Sequence, residues 1–182
     1  DNDGSIMASE LEVTTIRGLS SGGNANQILI PSGQTLHAPG HVIQVQRASV
    51  GGNISTSSST PVASGVQCSI TPKYSTSLIK IELIGGRSYI IANQQLDVSL
   101  YKNGSNINTT GTGRWESIYS NGTDAHYGGF SACWFETAGS TAARTYEIYF
   151  DVSSGSGTGY LNNSPGGNNE YLVHLVATEI AQ

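Results

Sequence analysis

The chain has 182 residues, with 8 basic against 13 acidic side chains for a formal net charge of −5, and charged residues make up only 12% of it. That length supports one domain with a real hydrophobic core. The acidic balance argues against a nucleic-acid binder, which needs a basic stripe to displace counterions. The 23 glycines, with abundant Ser, Thr and Asn, favour strands and turns over helices, and no apolar run of about 18 residues suggests a transmembrane helix or membrane insertion.

Met7 reads as a native start, which makes residues 1–6 (Asp1-Asn2-Asp3-Gly4-Ser5-Ile6) an expression remnant. Residues 7–40 read as a short β-rich arm. Leu11 to Ile16 and Ile28 to Leu36 are brief strand-like runs, broken by Ser20-Ser21-Gly22-Gly23-Asn24 and by the Pro31-Ser32-Gly33 turn. The arm holds too few apolar residues for its own core, so it is expected to pack on a domain or on copies of itself.

From His41 the pattern becomes period-2. Ile43 and Val45 alternate with Gln44 and Gln46, then a polar loop runs from Gly51 to Thr60. Val66, Cys68 and Ile70 alternate with Gln67, Ser69 and Thr71, and Ile79, Ile81 and Leu83 with Lys80 and Glu82. Such alternation marks strands with one buried face. Leu96, Val98 and Leu100 alternate with Asp97, Ser99 and Tyr101, and Asn103-Gly104 supplies a hairpin turn because both positions tolerate positive φ.

A Gly-, Thr- and Asn-rich stretch up to Gly129 follows. Beyond it, Phe130, Ala132 and Trp134 alternate with Ser131, Cys133 and Phe135, and Tyr146, Ile148, Phe150 and Val152 with Thr145, Glu147, Tyr149 and Asp151. After a loop from Ser153 to Asn169 comes a last strand from about Tyr171 to Ala177. It is apolar on both faces, so it is expected to be central in a sheet or buried at a subunit contact. About eight strands at regular spacing predict an all-β, antiparallel sandwich or jelly roll over residues 41–182.

Little in the sequence suggests catalysis, and no catalytic residue, metal ligand set or cofactor is assigned. No Gly-x-Ser-x-Gly elbow stands between a strand and a helix. Asp97, Asp124 and Asp151 stand apart, unlike a calcium loop. Of His37, His41, His126 and His174, only the first two are close, and Pro39 between them bars a helical pair. Cys68 and Cys133 could form one bridge, but two buried free thiols on strands is the better reading. The stretch Arg114-Trp115-Glu116-Ser117-Ile118-Tyr119, with Tyr127 nearby, has two readings. Arg114, Trp115, Tyr119 and Tyr127 are ligand-contact candidates, because aromatics in Gly- and Asn-rich loops offer flat apolar faces at low entropy cost. The better reading of Trp115 and Tyr119 is the core or a subunit interface.

Several motifs together resemble uncharacterised virion proteins of marine phages, including cyanophages. They are Ile30-Pro31-Ser32-Gly33-Gln34-Thr35-Leu36, then Pro39 to Val45, then Thr71-Pro72-Lys73-Tyr74-Ser75-Thr76-Ser77. The hairpin Leu100-Tyr101-Lys102-Asn103-Gly104, the aromatic strand and Thr-rich bend from Trp134 to Tyr149, and the tail Glu179-Ile180-Ala181-Gln182 complete the series. The resemblance spans nearly the whole chain after Met7.

It implies a jelly roll of the tumour-necrosis-factor or complement-globular-head type (TNF/C1q-like), assembled as a homotrimer. Tyr101 and Tyr149, outward aromatics on sheet faces, then become trimer-interface candidates. It also implies a non-enzymatic tail-fibre, receptor-binding, head-fibre or capsid-decoration role in a virion assembled in the host cytoplasm. The implied partners are the chain itself, other virion proteins and a host-surface glycan or protein. A carbohydrate-binding module is the alternative, and a polysaccharide depolymerase a further one.

Overall fold

The computed structural model describes residues 30, 32, 36, 38–108, 111–163 and 171–182. Residues 1–6, most of residues 7–40 and with them His37 lie outside the described residues, so the readings made of those segments are not addressed by the structure. Everything below concerns the unit His37–Gln182.

Eleven strands run among the described residues: β1 (Val42–Gly51), β2 (Ile54–Thr56), β3 (Val62–Ile70), β4 (Leu78–Ile90), β5 (Gln94–Lys102), β6 (Ser105–Asn106), β7 (Glu116–Ser120), β8 (His126–Thr137), β9 (Arg144–Ser154), β10 (Gly159–Asn162) and β11 (Leu172–Ile180). Every pairing is antiparallel. One sheet runs β1-β11-β4, with β8 on the far side of β4, and the short β10 and β2 extend it. The other runs β3-β9-β5, with β6 and β7 both on β5. The two pack face to face as a β sandwich. No helix among the described residues is long and apolar enough to cross a membrane.

The core is what the alternation predicts. Ile79, Ile81 and Leu83 of β4, Leu96, Val98 and Leu100 of β5, and Tyr146 and Ile148 of β9 are fully buried between the sheets. Each such aliphatic side chain contributes about 1.5–3 kcal/mol through burial. β11 sits between β1 and β4, the central place its two-sided apolarity predicts. Asn103 and Gly104 take φ of +51° and +79°, and the two-residue turn pairs Lys102 with Ser105.

Three stretches read as loops carry strands: β2 in the Gly51–Thr60 segment, β7 and the start of β8 in the Gly-rich region, and β10 after Ser153. Their residues are Gly, Ser, Thr and Asn, whose side chains leave the period-2 signal faint, so cross-strand pairing outweighs weak local preference. Both cysteines are free, but only Cys68 is buried. Cys133 is exposed, because on β8 the neighbours Ala132 and Trp134 turn toward the core and leave Cys133 on the outer face.

β4 is the longest strand and changes partner halfway. From Leu78 to Gly85 it pairs with β11 on one edge and β8 on the other. Gly85 and Gly86, with φ of +84° and +81°, then form an irregularity. Beyond it Ser88, Tyr89 and Ile90 stay on β8, while Tyr89 pairs with Tyr160 of β10. Only glycine fits there cheaply: a Cβ on Gly85 would lie 2.6 Å from the carbonyl oxygen of Leu172.

Candidate functional site

The outer faces of the two sheets differ in chemistry. On the β3-β9-β5 sheet, cross-strand partners are polar: Gln67 with Glu147, Ser69 with Thr145, Asp97 with Asp151, and Asp97 with Ser117. The aromatic exceptions are Tyr101 and Tyr149, whose rings stack with centroids 3.7 Å apart, and Tyr119, which is exposed. The stack covers each ring with the other, so the pair presents less apolar surface than two free rings.

The β1-β11-β4-β8 sheet faces outward with a different set. Its paired rows run Val42, Ile180, Leu78, Thr137; then Val45, Thr178, Lys80, Phe135; then Arg47, Val176, Glu82, Cys133; then Ser49, His174, Ile84, Ser131. Val45 is 55% exposed and Phe135 53%, and Val42, Ile84 and Leu172 are exposed as well. Lys80 Nζ lies 2.8 Å from Glu82 and 6.0 Å over the Phe135 ring, and Arg47 is exposed. Ser49 Oγ and His174 Nδ1 are 2.8 Å apart near the middle of the face. Apolar side chains on this face are interleaved with Thr137, Thr178, Lys80, Arg47, Glu82, Ser49, His174 and Ser131, so the surface is mixed.

Past the glycine irregularity, the same face ends in an aromatic cluster. Tyr89 meets Tyr127 at 4.7 Å and Tyr160 at 5.6 Å between ring centroids. The Arg87 guanidinium lies 4.3 Å from the Tyr127 ring and 5.4 Å from that of Tyr171. These are cation–π distances. No acidic side chain among the described residues pairs with Arg87; the ion pairs belong to Lys80, Lys102, Arg114 and Arg144. Tyr127 is 51% exposed and Tyr171 37%.

The four ligand-contact residues expected from sequence do not converge. Arg114 Nε lies 2.5 Å from Oδ2 of buried Asp97, so its charge is used within the outer face of the β5 sheet. Trp115 packs against the core and its indole N–H donates to the Cys133 carbonyl at 3.2 Å. Tyr119 faces outward on β7, on the polar sheet, and Tyr127 lies on the opposite sheet. Only Tyr127 joins the aromatic cluster. Arg87, Tyr89 and Tyr160 were missed by sequence reasoning. The signal was an Arg-x-Tyr alternation directly after a Gly-Gly break, which local pattern alone does not distinguish from a turn.

Two charged clusters lie elsewhere. Asp97 and Asp151, far apart in sequence, pair across β5 and β9. Burial first, then the neighbouring Asp97 charge, push Asp151 up to about 6, against the pull of Arg114. At one end of the sandwich, Glu136 accepts from Lys102 Nζ at 2.7 and 3.0 Å and from the Tyr146 hydroxyl at 2.5 Å, with Arg144 Nη1 at 3.6 Å. Burial, then the bond to Glu136, push the Tyr146 hydroxyl well above the usual tyrosine range. An adjacent cavity of about 200 Å³ is lined by Lys102, Asn103, Arg144 and small residues of the β8–β9 loop. No group of three or more metal-ligating side chains occurs among the described residues.

No family model matches the chain, and no curated protein matches it.

Proposed function

We propose that the chain is a non-enzymatic structural module of a bacteriophage virion, of the fibre, receptor-binding or capsid-decoration kind, that works as a homotrimer. In this reading copies meet through the outer face of the β1-β11-β4-β8 sheet, and the module serves attachment to the host surface.

The observation that carries the reading is the contrast between the two outer faces. On one sheet the exposed outward positions are Gln67, Ser69 and Ser117, with Tyr119 the exposed aromatic; the other sets Val42, Val45, Ile84, Phe135 and Leu172 among Arg47, Lys80, Glu82 and His174. Exposing those side chains in a lone chain is unfavourable by about 25 cal/mol per Å² of apolar area, and symmetric self-association removes them from water without a second gene product.

The strand order supports the jelly-roll part of the reading. Setting aside the short β2, β6 and β10, the long strands run 1-11-4-8 in one sheet and 3-9-5-7 in the other. Apart from β5 and β7, which share a sheet, successive long strands alternate between the sheets, in line with the TNF/C1q-like resemblance.

The test is absolute mass in solution by light scattering. Three copies of the 19.0 kDa chain give roughly 57 kDa. A clean monomer would overturn the trimer and leave a carbohydrate-binding module acting alone as the reading to pursue.

A further inference from the structure

We infer that Arg87 and the tyrosines around it bind an acidic saccharide, with Arg87 pairing the carboxylate of one sugar ring. The inference rests on the attachment reading above and names the class of ligand.

Arg87 is the starting point. It is a cation with no carboxylate partner among the described residues, in a protein whose net charge is −5. Its backbone N–H is already taken by the side-chain oxygen of Asn162 at 3.0 Å, which fixes the strand beneath it. The guanidinium is held by ring faces, Tyr127 at 4.3 Å and Tyr171 at 5.4 Å. Contact with ring faces orients the group, and its N–H fork has no partner among the described residues. A pre-oriented fork is suited to a planar carboxylate, which it grips through two parallel hydrogen bonds.

The surroundings favour a sugar as the bearer of that carboxylate. Tyr89, Tyr127 and Tyr160 lie within 4.7–5.6 Å of their neighbours and offer flat apolar surface for the C–H face of a pyranose, with phenolic hydroxyls for its O–H groups. The rings are braced by one another, so little side-chain entropy is lost on binding. The Gly85-Gly86 irregularity sets this cluster on the segment of β4 paired with β10, beyond the rows that carry Val45, Phe135 and Ile84. Subunit contact and ligand contact therefore use successive stretches of one sheet.

The experiment uses the full chain, with sialyllactose and a hyaluronan tetrasaccharide as probes, lactose as the neutral control and poly-glutamate as the non-sugar polyanion. Binding is followed by saturation-transfer NMR and titration calorimetry, with light scattering on the same samples. The expected result is binding of at least one acidic sugar in preference to both controls. Arg87→Gln should weaken it by at least about tenfold, and Tyr127→Ala should weaken it while mass and fold stay unchanged. No response to either acidic sugar, an unchanged affinity in Arg87→Gln, or equal binding of poly-glutamate would overturn the site. So would a collapse of Arg87→Gln to smaller species, which would make the cluster a subunit contact. Sugar binding by a monomer would leave the site standing and remove the trimer; a trimer that ignores both sugars would do the reverse.

Discussion

The carboxylate of Glu179, in β11, accepts the backbone N–H of Lys73 through both oxygens, at 2.8 and 3.0 Å. The N–H of Tyr74 adds a third bond at 3.2 Å, and Gln44 Nε2 a fourth at 2.6 Å. Glu179 is fully buried, so these donors replace its hydration. Two motifs more than a hundred positions apart, the Thr71–Ser77 loop and the Glu179–Gln182 tail, are thereby one structural unit.

Glu179→Gln tests that unit. The amide keeps one acceptor but turns an N–H₂ group toward N–H donors, leaving a buried mismatch. We expect a loss of about 2 kcal/mol in urea unfolding at pH 7. The wild type carries a matching pH signature. Burial pushes Glu179 up, but the bonds from Gln44, Tyr74 and Lys73, with the Ser77 hydroxyl close by, outweigh it and hold the group below the usual glutamate range. A depressed carboxylate adds stability above its unfolded pKa and loses it as pH falls through the lower folded value. The gap between wild type and Glu179→Gln should therefore close as pH drops below about 4.

Asp151 should behave in the opposite sense. Its folded pKa, about 6, lies above the ordinary carboxylate value, so the folded state holds the proton more tightly. Its contribution is complete below the unfolded pKa and is lost as pH rises through about 6. Asp151→Asn should stabilise the protein by about 1–2 kcal/mol at pH 8 and leave it unchanged at pH 3. Thermal melts at the two pH values decide this; equal effects at both would show that Asp97 and Asp151 do not interact as their pairing implies.

Two glycines with similar φ should respond differently to Ala. Gly104 has φ +79° and open space around its missing Cβ, whereas Gly85 has φ +84° and a carbonyl oxygen at 2.6 Å. Gly104→Ala should cost about 1 kcal/mol from backbone strain alone. Gly85→Ala adds a clash with backbone that cannot move cheaply, so about 2–4 kcal/mol is expected. Equal costs in chemical denaturation would remove the steric argument for the break in β4.

Aromatic and aliphatic surface residues separate stability from assembly. Tyr101→Ser removes the ring stack with Tyr149 and should lower stability by about 1 kcal/mol with no change in solution mass. Ile84→Glu touches a side chain that faces solvent in the single chain, so the fold should persist by circular dichroism. The mass should fall toward that of one chain. If Tyr101→Ser disperses the assembly and Ile84→Glu does not, the contact face is the polar sheet.

Much of the fold is readable in the sequence because burial on one face imposes period 2. Ile79-Lys80-Ile81-Glu82-Leu83 and Tyr146 to Val152 declare themselves, and Asn103-Gly104 declares its turn. The β10 strand, Gly159-Tyr160-Leu161-Asn162, does not, since one buried Leu161 is too short a pattern. The aromatic cluster is less legible still. Arg87 and Tyr89, Tyr127, Tyr160 and Tyr171 come from four separate segments, and only the register of β4 against β8 and β10 brings them together. Trp115 spends its ring on the core, the reading favoured from the sequence over ligand contact, and its N–H on Cys133.

The position of β11 has a kinetic side. Among the described residues β1 pairs with β11 alone, and β4 pairs with β11 along its first half. While the chain is being made, β1 and β4 therefore emerge long before the strand that joins them. During that interval the ribosome-bound chain displays unpaired strand edges, and closing so many distant contacts at once is slow. A nascent chain of this design would gain most from a chaperone, or from a sister copy, in the moments between the synthesis of β4 and that of β11.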